Sequence, residues 1–176
     1  MLFRSERAAS SIEIGLGYGV SALFILRGLL ATGLPNFRHL AMDPHQIQGF
    51  SSIARQLIDD AGLRERLDFL AERSEIALPR LFAQGRQFDF AFVDGNHRFD
   101  AVFVDLMFLA RLVRGGSVVF LDDYQLPAIR KAVGFCTSNL GWSVEDQGST
   151  TPMHHWIVLR TTEQPRERAF DYFVDF

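Results

Sequence analysis

What this chain has little of narrows it first. It carries one cysteine, Cys136, in 176 residues, which excludes an internal disulfide and a cysteine-based zinc cluster and fits a reducing compartment. No apolar run approaches the roughly 20 residues of a membrane span, and the opening stretch MLFRSERAASS lacks the apolar core of a signal peptide. Cationic excess is missing too. Against 21 Asp and Glu stand 18 Lys and Arg, for a net charge of −3, so there is no electrostatic footprint for nucleic acid. There are no internal repeats, low-complexity tracts or linkers. The expectation is a single cytoplasmic domain over 1–176, with neither membrane nor nucleic acid as partner and with enough chain to bury a substantial core.

What is present begins with phenylalanine, at 17 residues, which suggests an aromatic interior or an apolar surface for a ligand or partner. The chain then organises itself around Ile12-Glu13-Ile14-Gly15-Leu16-Gly17-Tyr18-Gly19-Val20-Ser21. A short apolar run, three alternating glycines and a helical period let the backbone leave a strand, turn tightly and start a helix with no Cβ in the way. The helix start then turns unpaired N–H groups toward whatever lies over the loop. The alternative is an ordinary glycine-rich turn between strand and helix.

Downstream, apolar runs and helical periods alternate. Periodicity predicts strands at 11–14, 37–42, 67–71, 88–93, 117–121, 141–145 and 156–160. It predicts helices at 20–31, 46–62, 74–83, 99–113 and 127–140, the second with a stripe of Ile47, Phe50, Ile53, Ala54, Leu57 and Ile58. Arg114-Gly115-Gly116 reads as a helix stop, and 148–152 as a loop. The tail 161–176 ends in an aromatic run that suits an edge strand, a docking helix or a homodimer contact. Alternation of this kind makes an α/β fold with a mostly parallel sheet covered on both faces. Ligands of such sheets lie beyond the carboxyl ends of the strands. The polar residues of this chain collect there: Glu13 and the glycines, Asp43, Ser74, Asp94 with His97, and Asp122 with Asp123 each follow a successive strand.

The glycine loop departs from the dinucleotide pattern G-x-G-x-x-G, since the sequence reads G-x-G-x-G followed by Val20. Glu13, two residues before Gly15, would repel a pyrophosphate and favour a cation such as an amino-acid ammonium, directly or through water. Asp43 can accept both hydroxyls of a ribose, or simply start an Asp-Pro turn. Ser74 suits an adenine edge or a helix N-cap. Asp94, Asp122 and Asp123 together suit Mg²⁺ or Ca²⁺, or else cap helices and start turns. His97 is a candidate general base, or a solvent-facing loop histidine. His154 and His155, at the head of the seventh strand, read as structural.

Glu13-Ile14-Gly15-Leu16-Gly17-Tyr18-Gly19 resembles motif I of the class I S-adenosylmethionine-dependent methyltransferases, E-x-G-x-G-x-G. Val93-Asp94-Gly95-Asn96-His97, Asp105-Leu106, Arg114-Gly115-Gly116 and Leu121-Asp122-Asp123-Tyr124 are similar to the small-molecule O-methyltransferases of that class, of the catechol and macrocin type with a D-G-x-H motif. The resemblance implies a Rossmann-like, doubly wound sheet of seven strands in the order 3-2-1-4-5-7-6, with strand seven antiparallel. It implies that Gly15, Gly17, Gly19 and Ser21 carry the methionine end of the cofactor, with Asp43 on ribose and Arg73 and Ser74 near adenine. Asp94 would serve the cofactor's amino group or, with Asp122 and Asp123, a Mg²⁺ ion; His97 would be the base. Two departures stand out. Asp123 replaces a customary Asn, and the helices that usually precede the loop and cover the pocket have no counterpart, so cover is absent, belongs to a longer chain or comes from a partner. The activity implied is methyl transfer to a hydroxyl of a small-molecule acceptor, with nitrogen acceptors open. The rival readings are an NAD-dependent oxidoreductase and a catalytically silent binding subunit of the same fold.

Overall fold

A computed structural model describes residues 8–163 and 168–176. The expected lack of a leader, in so far as it rests on 1–7, and the part of the tail at 164–167 lie outside the described residues. The strands are β1 (Ser10–Ile14), β2 (Arg38–Met42), β3 (Leu67–Leu70), β4 (Phe88–Val93), β5 (Val113–Leu121), β6 (Ser143–Thr151) and β7 (His154–Arg160). They form one seven-stranded sheet in the order β3-β2-β1-β4-β5-β7-β6, as the resemblance implies. Five strands run parallel, and β7 lies antiparallel between β5 and β6.

The helices are α1 (Val20–Leu30), α2 (Ile53–Asp60), α3 (Ser74–Ala83), α4 (Phe99–Leu112) and α5 (Pro127–Asn139). Strand alternation sorts them by face. Leu40, Met42, Ala91 and Val93 pack with Leu78 of α3, Leu106 of α4 and Val133 of α5. Ala41, Phe90 and Val118 pack with Leu26 of α1 and Ile58 of α2 on the other side. Fully buried side chains of this size are worth about 1.5–3 kcal/mol each in transfer free energy, so both faces hold the sheet. In β4, Phe88 packs in the same cluster as Ala91, and the register with β5 shifts between Phe88, which pairs with Val113, and Phe90, which pairs with Val118. The extra residues of that irregularity lie on β5, and beside it the Asp89 carboxylate of β4 accepts the backbone N–H groups of Ala9 and Ser10, both at 2.8 Å. Among the described residues no helix is long and apolar enough to cross a membrane.

Three expectations are corrected. The helix expected over 46–62 is confined to Ile53–Asp60, because Ser51 and Ser52 take left-handed backbone conformations and Gln46 is buried. Ile47, counted in its stripe, is 75% exposed. Arg114-Gly115-Gly116 is strand rather than helix stop: a Cβ on Gly115 would lie 2.0 Å from the Glu163 carbonyl oxygen, so glycine there admits a neighbouring backbone. The expected loop at 148–152 is mostly β6, in which Gly148 lies under the Trp156 indole. This edge strand has two register shifts and carries Glu145 and Asp146, features that discourage further pairing. The tail docks on α5 without becoming a helix or strand: Asn139 donates to the Val174 carbonyl and accepts its N–H, both at 2.8 Å.

Candidate functional site

The strand order reverses between β1 and β4, and the site opens there. Gly15 follows β1 at φ +89° and donates its N–H to the Met42 carbonyl at 2.9 Å. A Cβ on it would stand 1.9 Å from the Asp94 carbonyl oxygen, so only glycine lets the ends of β1 and β4 approach this closely. Gly19, at φ +81°, precedes α1, whose first turn has no side-chain cap. The loop and this helix start form one wall of a cavity of about 940 Å³.

The cavity joins the predicted residues Asp43, Arg73, Ser74, Asp94, His97 and Asp122 to the glycine loop and Ser21. Asp123 is not part of its lining, and neither is Glu13. Glu13 is fully buried: Ser21 donates to its Oε1, and its Oε2 lies 2.7 Å from His39 Nε2. His39 Nδ1 in turn meets the Ser11 hydroxyl at 2.8 Å, across the β1–β2 pairing that sets Ser11 beside His39. Of the two expected ways for Glu13 to favour a cation, directly or through water, the direct one is closed by these bonds. With both oxygens occupied, Glu13 braces the loop from below.

Asp43 is 4% exposed and fastens the loop. Its Oδ2 accepts the Gly17 N–H and the Gln46 amide, each at 2.9 Å, and its Oδ1 accepts the His45 N–H at 2.7 Å. Gln46 also donates to the Gly17 carbonyl at 2.7 Å. A ribose can use the remaining capacity of Oδ1, but the expected bidentate grip on both hydroxyls would have to displace a loop bond. Ser74 is the first residue of α3 rather than its cap, which is Arg73.

At the other end of the cavity His97 Nε2 lies 3.4 Å from Asp94 Oδ1 and 3.1 Å from Asp123 Oδ2. The hydrogen bond that His97 donates to Asp94 raises its pKa above the ordinary imidazole value, burial opposes this, and the charges of Asp123, Asp94 and Asp122 add to the rise. The three predicted carboxylates do not make one donor set. They fall into two that share Asp123: Asp94 with His97 and Asp123, and Asp122 with Asp123 and His154. Asp123 takes a left-handed conformation, φ +55°, unusual for a residue with a Cβ. Its Oδ1 accepts the Gln125 amide at 2.6 Å, and Gln125 Oε1 accepts the His155 N–H at 2.7 Å, so the loop after β5 is tied to β7.

Sequence reasoning missed Gln46, His39 and His154 at the site. The first two have no local signal. His154 had one, since an antiparallel β7 starts where β5 ends, with Leu121 beside Ile157.

Asp105, on α4, faces the start of α3 without exposure, and neither carboxylate oxygen has a hydrogen-bond partner of good geometry. Burial pushes its pKa up to about 7; the Ser74 hydroxyl pulls it down and the Glu75 charge adds to the rise. Near pH 3 the group is neutral folded or unfolded. As pH rises through the ordinary 3.8 toward about 7, the unfolded chain ionises first and stability falls, with the full penalty present above about 7. A shift of this size corresponds to about 4 kcal/mol. Denaturant titrations at pH 5 and pH 8 should therefore show a loss of a few kcal/mol in the wild type that is absent in Asp105→Asn. Equal losses in both would contradict the reading.

A family model described as methyltransferase domain matches residues 12–124. No curated protein matches the chain. Among solved structures, the O-methyltransferase TomG from Streptomyces achromogenes, involved in tomaymycin synthesis and in complex with SAM, aligns with a TM-score of 0.75 and 21% identity, over 92% of this chain and 76% of that one. An O-methyltransferase from Bacillus cereus in complex with SAH gives 0.75 and 20%, over 92% and 77%. TrmN from Thermus thermophilus gives 0.68 and 19%, over 91% of this chain and 47% of that one.

Proposed function

We propose, because this chain belongs to the methyltransferase-domain family, that it moves a methyl group from S-adenosylmethionine to a hydroxyl oxygen of a small molecule. The observation that carries this reading is the single cavity that runs from the glycine loop to His97. When bound, S-adenosylmethionine supplies a methyl carbon on a positively charged sulfur that leaves as a neutral thioether. The chain's own part is to hold the two reactants in line and to take a proton.

Gly15, Gly17, Gly19 and Ser21 would carry the methionine end, with the uncapped start of α1 beside the carboxylate. Asp43 would take a ribose hydroxyl on Oδ1, and Arg73 and Ser74 would border adenine. Asp94 would face the ammonium. Asp94 and Asp123 also draw the Nε2–H of His97, which leaves Nδ1 as the nitrogen with a free lone pair. A carboxylate behind an imidazole fixes its tautomer and stabilises the imidazolium formed once it has taken a proton. His97 would then accept the acceptor's hydroxyl proton on Nδ1.

The donor set at the rim fits a divalent cation, because Asp122 and Asp123 crowd two negative charges within reach of one ion. Such an ion would supply Lewis acidity toward the acceptor oxygen. The test is transfer of labelled methyl from S-adenosylmethionine to a panel of phenols and hydroxylated natural products, with and without added divalent metal. Labelled product from a hydroxyl acceptor is expected. Label on amine acceptors alone would refute the oxygen assignment, and hydride transfer with NAD would refute the whole reading.

A further inference from the structure

We infer that His39, which lies outside the cavity, is a positioning residue for the amino-acid end of the cofactor and acts through Glu13 and Ser21. This rests on the reading of the site as one for S-adenosylmethionine and names the residue that sets its grip on one end of that molecule. The placement follows from the pleat. Ser11 and Glu13 stand two residues apart on β1, so their side chains share a face. His39 on β2 pairs with Ser11, and Ala41, two residues further on, packs with Leu26 of α1. The polar side chains therefore lie on the α1 side of the sheet, and one imidazole spans two residues of the neighbouring strand. Its Nδ1 lies 2.8 Å from the Ser11 hydroxyl and its Nε2 2.7 Å from Glu13 Oε2. Ser21, the second residue of α1, closes the line by donating to Glu13 Oε1. Ser11, Glu13 and His39 have no exposed surface.

The supply of hydrogens gives the line a direction. A carboxylate only accepts, so Ser21 and His39 both donate to Glu13. His39 then carries its hydrogen on Nε2, and its Nδ1 accepts the Ser11 hydroxyl hydrogen. The Ser21 hydroxyl is turned inward, which leaves its oxygen as an acceptor on a residue that lines the cavity together with Asp94. Two such acceptors suit an ammonium. The Ser21 backbone N–H belongs to the first turn of α1, whose N–H groups have no partner within the helix, and it suits a carboxylate. Without His39, Glu13 Oε2 would lose its donor in a dry interior, and the carboxylate would no longer hold Ser21 in one orientation. The rest of the cofactor site does not pass through His39. Asp43 is held by Gly17, Gln46 and His45, and Arg73 and Ser74 stand at the start of α3. Loss of His39 should therefore be felt at the amino-acid end alone.

Calorimetry with two nucleosides tests this. S-adenosylhomocysteine carries the amino-acid end, whereas 5′-methylthioadenosine keeps adenine, ribose and sulfur and lacks it. His39→Leu should weaken S-adenosylhomocysteine at least about tenfold and 5′-methylthioadenosine less than about twofold. His39→Gln, whose amide N–H can reach Glu13, should bring S-adenosylhomocysteine back to within about threefold of the wild type. Circular dichroism establishes that each variant is folded. A readout on the wild type needs no variant: nitrogen NMR of the imidazole should find the His39 hydrogen on Nε2, and S-adenosylhomocysteine should move that resonance more than 5′-methylthioadenosine does. Equal weakening of both nucleosides in His39→Leu, no weakening of either, or a hydrogen on Nδ1 with none on Nε2 would overturn the assignment. Failure of the wild type to bind either nucleoside would strike the methyltransferase reading itself, whereas binding of both without a selective loss strikes only the role of His39.

Discussion

Asp43→Ala is expected to lower the affinity for S-adenosylhomocysteine at least about a hundredfold, equivalent to roughly 2.7 kcal/mol. Asp43 reaches the ligand in two ways. Its carboxylate holds the Gly17 N–H and the Gln46 amide, which shape the loop, and its Oδ1 has capacity left for a ribose hydroxyl. Hydrogen bonds to a charged group contribute about 1.5–3 kcal/mol each, so losing the direct contact and the shape of the loop together reaches the stated figure. Asp43→Asn should recover only part, since its amide NH₂ would face donors where an acceptor is needed. Calorimetry on the folded variants decides, and a loss below about threefold would mean that Asp43 is a turn residue.

His97→Ala is expected to cut turnover about 10²–10⁴-fold, the usual contribution of a positioned general base, while S-adenosylhomocysteine affinity stays within about twofold. The separation follows from placement. His97 lies at the rim with Asp94 and Asp123, whereas the loop is held by Asp43, Gln46 and Glu13. Steady-state turnover and calorimetry on the same preparation read the two quantities. A parallel fall in both would give His97 a structural role instead.

The rim was legible because it depends on local patterns, whereas the strand order followed from the resemblance to a known family. Glycines at alternating positions can only mark a turn of unusual conformation, and apolar runs ending in Asp43, Asp94 and Asp122 put those carboxylates at strand ends. What escaped depends on partners far along the chain. Glu13 looks like a ligand from its place beside the glycines, but His39 is 26 residues away and reaches it through the β1–β2 pairing. The segment at 46–62 has a helical apolar period, yet Gln46 is drawn into the loop and the two serines at positive φ delay the helix. The length of β6 is set by its pairing with β7, and Gly148 is glycine because of Trp156 rather than because of a turn. Which oxygen of Asp123 faces which histidine is a matter of a left-handed backbone that no spacing announces.

The central claim is that the β1–β4 mouth receives an adenosyl sulfonium donor. Calorimetry of the wild-type chain against S-adenosylhomocysteine and, separately, NAD tests it most directly. One equivalent of S-adenosylhomocysteine should bind with micromolar or better affinity, and NAD should give no saturable heat; the reverse pattern, or no binding of either, would contradict it.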